Sequence, residues 1–397
     1  MAMNFYRPRP SGGPLAAAER TSMAVGPEAL TLEAAERVSF QLIPFEPKGP
    51  YPYRVGLEQI LGNEAVDRIA ASGRLVFHTM GDTGGVKDGK SQVLVARGLE
   101  ASFAGNARPA SFLYHLGDVV YYKGEIDNYF DQFYDPYEHY PAPILAIPGN
   151  HDGQVDRRAH QRSLAGFERN FCAPVDTYTD ESMDTGRMAM CLPYPYWILD
   201  TPLARFIGLY SNVPEGGRLD HAQENWLAEQ LAEAPGNKAL FLAVHHPIYS
   251  FDDHHSGSVV MARSIENAIN QARRVPNVIL TAHVHNYQRI EKTHDGKALP
   301  FFVMGNGGYY NLHYLNVAVG HTDAQSGARL VAGIDSRHGF GTFEVTAERI
   351  EGFFTTVPRP QESWSDPAGY VKADSFSYSA KPIRLAAGQS LRLLEEE

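Results

Sequence analysis

Cysteine is nearly missing from this chain: among 397 residues there are two, Cys172 and Cys191. Two thiols cannot make a disulfide-dense scaffold, and neither lies in a CxxC or Cys/His cluster, so they form one bridge or none. Long apolar runs are missing as well. No stretch approaches the roughly 18 consecutive apolar residues needed to span a bilayer, and residues 1–14 lack the charged start and apolar core of a secretion signal. The expectation is a soluble protein of the cytoplasm, with an exported mature form as the alternative. Positive charge is sparse: 35 Lys and Arg stand against 46 Asp and Glu, a formal net charge of −11 with no basic block to offset it. That balance argues against duplex nucleic acid as a partner, which needs clustered cations along its phosphates. What is there, 43% apolar and 20% charged residues, is ordinary for a globular chain that buries a sizeable core. Oligomeric state is not legible from it.

Residues 1–30 mix Pro, Gly, Ala and Ser without periodicity and read as a loosely attached arm. Leu57, Ile60, Leu61, Val66, Ile69 and Ala70 recur at helical spacing, so residues 1–73 form an arm with a helical extension. Six short apolar runs follow, at 75–80, 111–116, 143–147, 240–244, 278–282 and 301–304, each ending in Gly, Asp, Asn or His. Runs without polar alternation predict strands buried on both faces. Amphipathic segments at 91–104, 157–171, 220–234 and 259–273 lie between several of them, and Asp220 with Gln223 predicts a capping box. Strands alternating with helices imply an α/β architecture with a substantially parallel sheet, whose site lies at the carboxyl ends of the strands. Predicted hairpins at 196–210 and 340–357 add a second, partly antiparallel sheet. The main domain spans 74–357, and 358–397 reads as a wrapping tail with little regular structure, ending in three glutamates.

The polar ends of those runs carry the chemistry. Gly81-Asp82, Gly117-Asp118 and Gly149-Asn150-His151-Asp152 end three strands, and Val244-His245-His246-Pro247 and Ala282-His283-Val284-His285 end two more. Any one of these is commonplace as a turn or a core histidine. Together they bring carboxylates, an amide oxygen and imidazoles to adjacent strand ends, where so many polar groups are costly to bury without a common partner. Asp, Asn, Tyr and His without cysteine form a harder donor set than a structural zinc site uses, and a shared carboxylate holds two ions close together. The pattern predicts two metals and phosphoryl transfer.

The series GDTG, GDVVY, GNHD, VHHP and AHVH resembles that of the calcineurin-like metallophosphoesterases over about residues 74–356, and the Tyr of GDVVY marks the purple acid phosphatase branch. The flanks His245-His246-Pro247-Ile248-Tyr249, His283 to Arg289 and Gly305-Asn306-Gly307-Gly308 resemble that branch too. The resemblance implies a four-layer α/β/β/α sandwich of two mixed sheets flanked by helices. It also implies that Asp82, Tyr121 and His285 hold a ferric ion, that Asn150, His245 and His283 hold a divalent Fe, Zn or Mn ion, and that Asp118 bridges them. His151, His254 and His255 would meet the phosphate and the leaving group. Where the wider superfamily has the His of DxH this chain has Gly84, and Tyr121 replaces the lost bond. Four departures stand out: Ala282 in place of Gly, Asp152 in place of Glu, no large N-terminal β-sandwich and no signal peptide.

The function this implies is hydrolysis of small phosphate esters, monoesters first, by a metal-activated hydroxide, with His254 or His255 protonating the leaving group. The nearest rival is a colourless phosphodiesterase of the same superfamily acting on a nucleotide or lipid head-group diester. A further rival is a binding protein that keeps the fold without hydrolysis. Tyr122, Tyr129, Phe130, Phe133, Tyr134, Tyr137 and Tyr140 read as core packing before pocket wall.

Overall fold

The computed structural model describes residues 40–87, 89–155, 161–182, 185–362 and 369–394; the predicted arm at 1–30 and the three final glutamates lie outside them. In chain order, β1 (Arg54–Gly56) and the short helices α1 (Leu57–Leu61) and α2 (Asn63–Ser72) precede β2 (Leu75–Met80) and α3 (Lys90–Ala101). Next come β3 (Leu113–His115), β4 (Ile144–Ala146), α4 (Asn150–Gly153) and α5 (Ala165–Phe171). The hairpin of β5 (Trp197–Asp200) and β6 (Ala204–Gly208) leads to α6 (His221–Ala232), β7 (Ala239–Ala243), α7 (Val259–Ala272), β8 (Arg274–Val275) and β9 (Val278–Thr281). The rest is strand: β10 (Tyr287–His294), β11 (Lys297–Met304), β12 (Arg329–Ile334), β13 (Gly339–Val345), β14 (Arg349–Thr356), β15 (Val371–Ser379) and β16 (Ile383–Arg384). All six apolar runs became strands. Each predicted amphipathic segment contains a helix, although in the second only 165–171 is helical and 156–160 lie outside the described residues.

Two mixed sheets stand face to face. One has eight strands in the order β1-β5-β6-β7-β9-β11-β10-β12, the other six in the order β15-β14-β13-β2-β3-β4. Strands β6, β7, β9 and β11 run parallel to one another, as do β2, β3 and β4, while hairpins extend each sheet antiparallel. The pleat sorts side chains between layers. On β7, Ala239, Phe241 and Ala243 face the core between the sheets, and Leu240 and Leu242 face the outer core with Trp226, Leu227 and Leu231 of α6 and Met261, Ile265 and Ile269 of α7. Between the sheets, Phe77 of β2 stacks on Phe112 and Phe343 and meets Phe206 and Phe241 edge-on. Each such ring, fully removed from water, contributes about 1.5–3 kcal/mol. On the far side α3 lies against the six-stranded sheet, close enough that a Cβ at Gly98 would sit 3.0 Å from the Phe340 ring. This is the helix, sheet, sheet, helix order expected from the resemblance.

Two local expectations are corrected. Asp220 does cap α6, its Oδ1 accepting from Gln223 N at 2.8 Å, but the return half of the box is absent. The Gln223 amide instead pairs with both backbone groups of Tyr210, because buried peptide groups at the end of β6 compete for it. The residues after 358 are more regular than expected: β15 adds nine residues to the edge of the six-stranded sheet, paired along β14. Its Phe376 faces Phe302 and Phe343, an apolar anchor that a Ser- and Tyr-rich composition hides.

Candidate metal centre

The parallel strands of both sheets point their carboxyl ends at one seam. There β2 delivers Asp82, β3 Asp118, β4 Asn150, β7 His245 and β9 His283. The loops are knitted across the seam by Gly81 N to Met304 O (2.9 Å), Asp82 N to Gly117 O (3.0 Å) and Ala282 N to His245 O (2.9 Å). Asp82, Asp118 and His283 adopt left-handed backbone, with φ of 55, 54 and 66°, at a cost of about 1–3 kcal/mol each. Three neighbouring strand ends share this conformation, and it turns each side chain into the seam.

Two clusters result. In the first, the Tyr121 hydroxyl donates to Asp82 Oδ1 at 3.0 Å and lies 3.4 Å from His285 Nε2, which is 3.5 Å from the same Asp82 oxygen. In the second, His245 Nε2 lies 3.1 Å from Asn150 Oδ1 and 3.3 Å from Asp118 Oδ2, and His283 Nδ1 lies 3.0 Å from Asn150 Oδ1. His245 Nε2 is also 4.0 Å from Asp82 Oδ1, which closes the gap between the clusters. All seven predicted ligands are buried.

Tautomers follow from the backbone. His245 Nδ1 is 2.8 Å from Leu116 O and His285 Nδ1 is 3.0 Å from Asn311 O. Carbonyls only accept, so both Nδ1 atoms carry the proton and both Nε2 atoms face the seam. Burial holds His285 well below the usual imidazole range, so its Nε2 presents a lone pair to the Asp82 carboxylate and the Tyr121 oxygen. At His245 burial opposes charge, yet the Asp118 and Asp82 carboxylates outweigh it and push the imidazole up to about 9. Burial likewise raises Asp82, to about 6, whereas at Asp118 the imidazoles of His245, His151 and His283 overcome burial and hold the carboxyl well below its ordinary value. Lone pairs and carboxylates converge where only a proton or a cation satisfies them. His283 Nε2, buried and without a hydrogen-bond partner among the described residues though 3.8 Å from Glu215 Oε1, is a further lone pair in the same seam. The residues therefore fit metal ions: Asp82, Tyr121 and His285 could hold one, Asn150, His245 and His283 another, and Asp118 stands between them. Asp118, His245 and His283 bring their ligand atoms within 4.8 Å of one another, as do Glu215, His255 and His283 beside them.

Glycine makes the space. A Cβ at residue 84 would lie 2.5 Å from Tyr121 Cδ2, so a side chain there and Tyr121 exclude each other. A Cβ at Gly149 would lie 2.1 Å from Asp118 Oδ1, and one at Gly81 would lie 2.6 Å from the Ala282 methyl, which shows how Ala282 is accommodated. Asp152 braces the loops, accepting from Val119 N, Val120 N and Gly149 N at 3.2, 3.2 and 2.9 Å.

The three histidines expected around the metals part company. His151 donates Nδ1–H to Tyr122 O at 2.7 Å, leaving Nε2 3.9 Å from Asp118 Oδ2. The His255 ring lies 4.6 Å from that of His283, its Nδ1 2.9 Å from Glu215 Oε1. The His254 side chain is 55% exposed, bonded to Asp253 and stacked on His313. Sequence reading passed over Glu215, His313 and Tyr309. His313 is held by Asp252 at 3.2 Å with its ring 4.5 Å from that of His285, and the Tyr309 ring lies 4.3 Å from that of Tyr121. Tyr309 directly follows Gly305-Asn306-Gly307-Gly308 and was within reach of that signal; Glu215 and His313 have no local one. Tyr129, Phe133, Tyr134, Tyr137 and Tyr140 are core, as expected, while Tyr122 is 41% exposed beside His151.

Among known folds, the chain is similar to a purple acid phosphatase from seeds of yellow lupin (Lupinus luteus), with a TM-score of 0.55 at 15% identity over 77% of this chain and 54% of the lupin chain. It thus spans about half of that enzyme. It is also similar to GAP50, described as the anchor in the inner membrane complex of Plasmodium, with a TM-score of 0.50 at 16% identity over 77% of this chain and 89% of that one. At such identities the likeness concerns the fold. Comparison with curated protein sequences gave no match. The family model for calcineurin-like phosphoesterases matches residues 79–287, the stretch that holds all seven clustered candidate ligands, and the chain belongs to that family.

Proposed function

We propose that this protein hydrolyses phosphate monoesters of small substrates at a binuclear centre with a ferric ion at Asp82, Tyr121 and His285 and a divalent Fe, Zn or Mn ion at Asn150, His245 and His283. The observation that carries this reading is the Tyr121 hydroxyl, 3.0 Å from Asp82 and 3.4 Å from His285, in space that Gly84 leaves open. The fold by itself does not decide for catalysis, since one of the similar structures is described as an anchor; the complete donor set supports the catalytic reading. Two bound metals supply charge neutralisation of the phosphoryl group and acidify a water at neutral pH. The chain's own residues do the rest. Asp118, hydrogen-bonded through Oδ1 to His151 N at 2.8 Å, keeps the two clusters in register. His151 Nε2 faces the seam, 3.9 Å from Asp118 Oδ2, and is placed beside the phosphoryl group of a bound ester. A panel of mono- and diesters run with iron-loaded and metal-stripped protein tests the proposal. Monoester turnover that requires metal is expected; a preference for diesters would replace it with the phosphodiesterase reading, and protein that is metal-free as purified and shows no turnover after loading with any of these metals would leave a binding protein.

For the leaving group, His255 is the proton donor and His254 is not. Burial disfavours charge on His255, but the Glu215 carboxylate outweighs it and raises the imidazole above its ordinary value, which favours the acid form. His255→Ala is expected to slow esters of poorly acidic alcohols by about 10²-fold while sparing an activated aryl ester, and His254→Ala to change both little. Equal losses on the two substrates for His255→Ala would reduce its role to holding the phosphate.

A further inference from the structure

Outside the metal centre, the two cysteines meet. Cys172 follows α5 and Cys191 lies 19 positions on, and they are partners in an isolated antiparallel bridge. The bonds that make this bridge run between their neighbours: Ala173 N donates to Met190 O at 2.9 Å and Leu192 N to Phe171 O at 2.8 Å. Cys172 and Cys191 therefore form a non-hydrogen-bonded pair, the class in which facing Cα atoms come to about 4.5 Å and side chains share one face. A disulfide needs Cα atoms about 4.4–6.8 Å apart. A pair of this class falls at the near end of that range, so the pairing itself suits a disulfide without a loop having to move.

We propose that Cys172 and Cys191 are a disulfide site, open in this structure and closed by a small-molecule disulfide oxidant. In the open form both thiols are free; Cys172 is buried, and Cys191 is exposed with its Sγ turned toward Asp176 Oδ1 at 3.5 Å. Exposure makes Cys191 the first to react. Its thiolate attacks one sulfur of the oxidant, whose S–S bond breaks and releases one thiol. Rotation of the Cys191 side chain away from Asp176 then presents the mixed disulfide to Cys172. The Cys172 thiolate attacks the Cys191 sulfur and expels the second oxidant thiol. The protein gives up two electrons and two protons, and the oxidant is reduced to two thiols.

The bond would close a loop against the scaffold behind the metal centre. Phe171 packs on Phe133 and Phe167, and α5 lies so close to the next segment that a Cβ at Gly166 would be 2.5 Å from Gly124 O and from the Tyr129 ring. Gln132 in turn holds Tyr121 through both backbone groups, at 2.8 and 2.9 Å. Oxidation thus ties residues 190–192 to the layer that supports a metal ligand, and does so only where the surroundings are oxidising.

The test uses the whole protein equilibrated in oxidised or reduced glutathione, then alkylated and mapped under non-reducing conditions. One peptide pair joined through Cys172 and Cys191 is expected in the oxidised sample, together with a melting temperature several degrees above that of the reduced one, because a cross-link restricts the unfolded chain. Cys191→Ser, a change at an exposed position, should abolish both effects. Recovery of separate glutathione adducts, of free Cys172, or of disulfide-linked dimers would overturn the proposal. So would identical melting of cross-linked and reduced protein.

Discussion

Asp118→Asn is expected to lower turnover by several orders of magnitude and to weaken the binding of both metals together. The Asp118 side chain is 1% exposed; Oδ2 lies 3.3 Å from His245 Nε2, and Oδ1 accepts from His151 N at 2.8 Å. An asparagine has the same shape and tolerates the left-handed backbone at this position, so the fold should persist. What changes is charge: one anionic oxygen becomes an amide NH₂, a donor facing an imidazole that must itself present a lone pair to a cation. Loss of a metal ligand disrupts charge and geometry at once, and a ligand common to both ions disrupts two sites. Metal content and kcat measured on the same preparation decide the matter. Near-normal kcat with two metals retained would remove Asp118 from the position between them.

Tyr121→Phe is expected to bleach a visible absorption band that iron-loaded protein otherwise shows. Burial, together with the nearby Asp118 and Asp82 carboxylates, pushes the Tyr121 phenol well above its ordinary value near 10, so the chain alone keeps it protonated. Only a highly charged cation at the Asp82 and His285 oxygen and nitrogen would draw that proton off, and ferric iron bound to phenolate absorbs in the visible. The substitution removes one oxygen. The ring contacts, 4.4 Å to His151 and 4.3 Å to Tyr309, stay available to phenylalanine, so the protein should fold with its colour gone. The opposite result is equally plain. Iron-loaded protein that stays colourless in air, works with manganese or zinc alone and is indifferent to Tyr121→Phe would make Tyr121 a packing residue and both ions divalent.

Much of the centre was legible without coordinates because its information is local. A strand buried on both faces needs an unbroken apolar run, and a loop that turns a ligand into a seam needs small or left-handed-tolerant residues at the run's end; Gly81-Asp82, Gly117-Asp118 and Gly149-Asn150 meet both needs within a few positions. The same holds for the histidines after β7 and β9, so the layered fold and the convergence of the seven candidate ligands could be read from the chain. Tertiary structure decided what depends on side-chain direction and on partners distant in sequence. His254 and His255 are adjacent, but only His255 meets Glu215, forty positions away, and turns toward His283. Gln223 was free to close its helix cap until the end of β6 offered it two buried peptide groups. Whether Cys172 and Cys191 could meet depended on which of two antiparallel pairings their neighbours adopted, and no spacing in the sequence carries that choice. Local pattern determines what a segment can become, whereas the partner of each polar side chain is selected by competition among groups that only folding brings together.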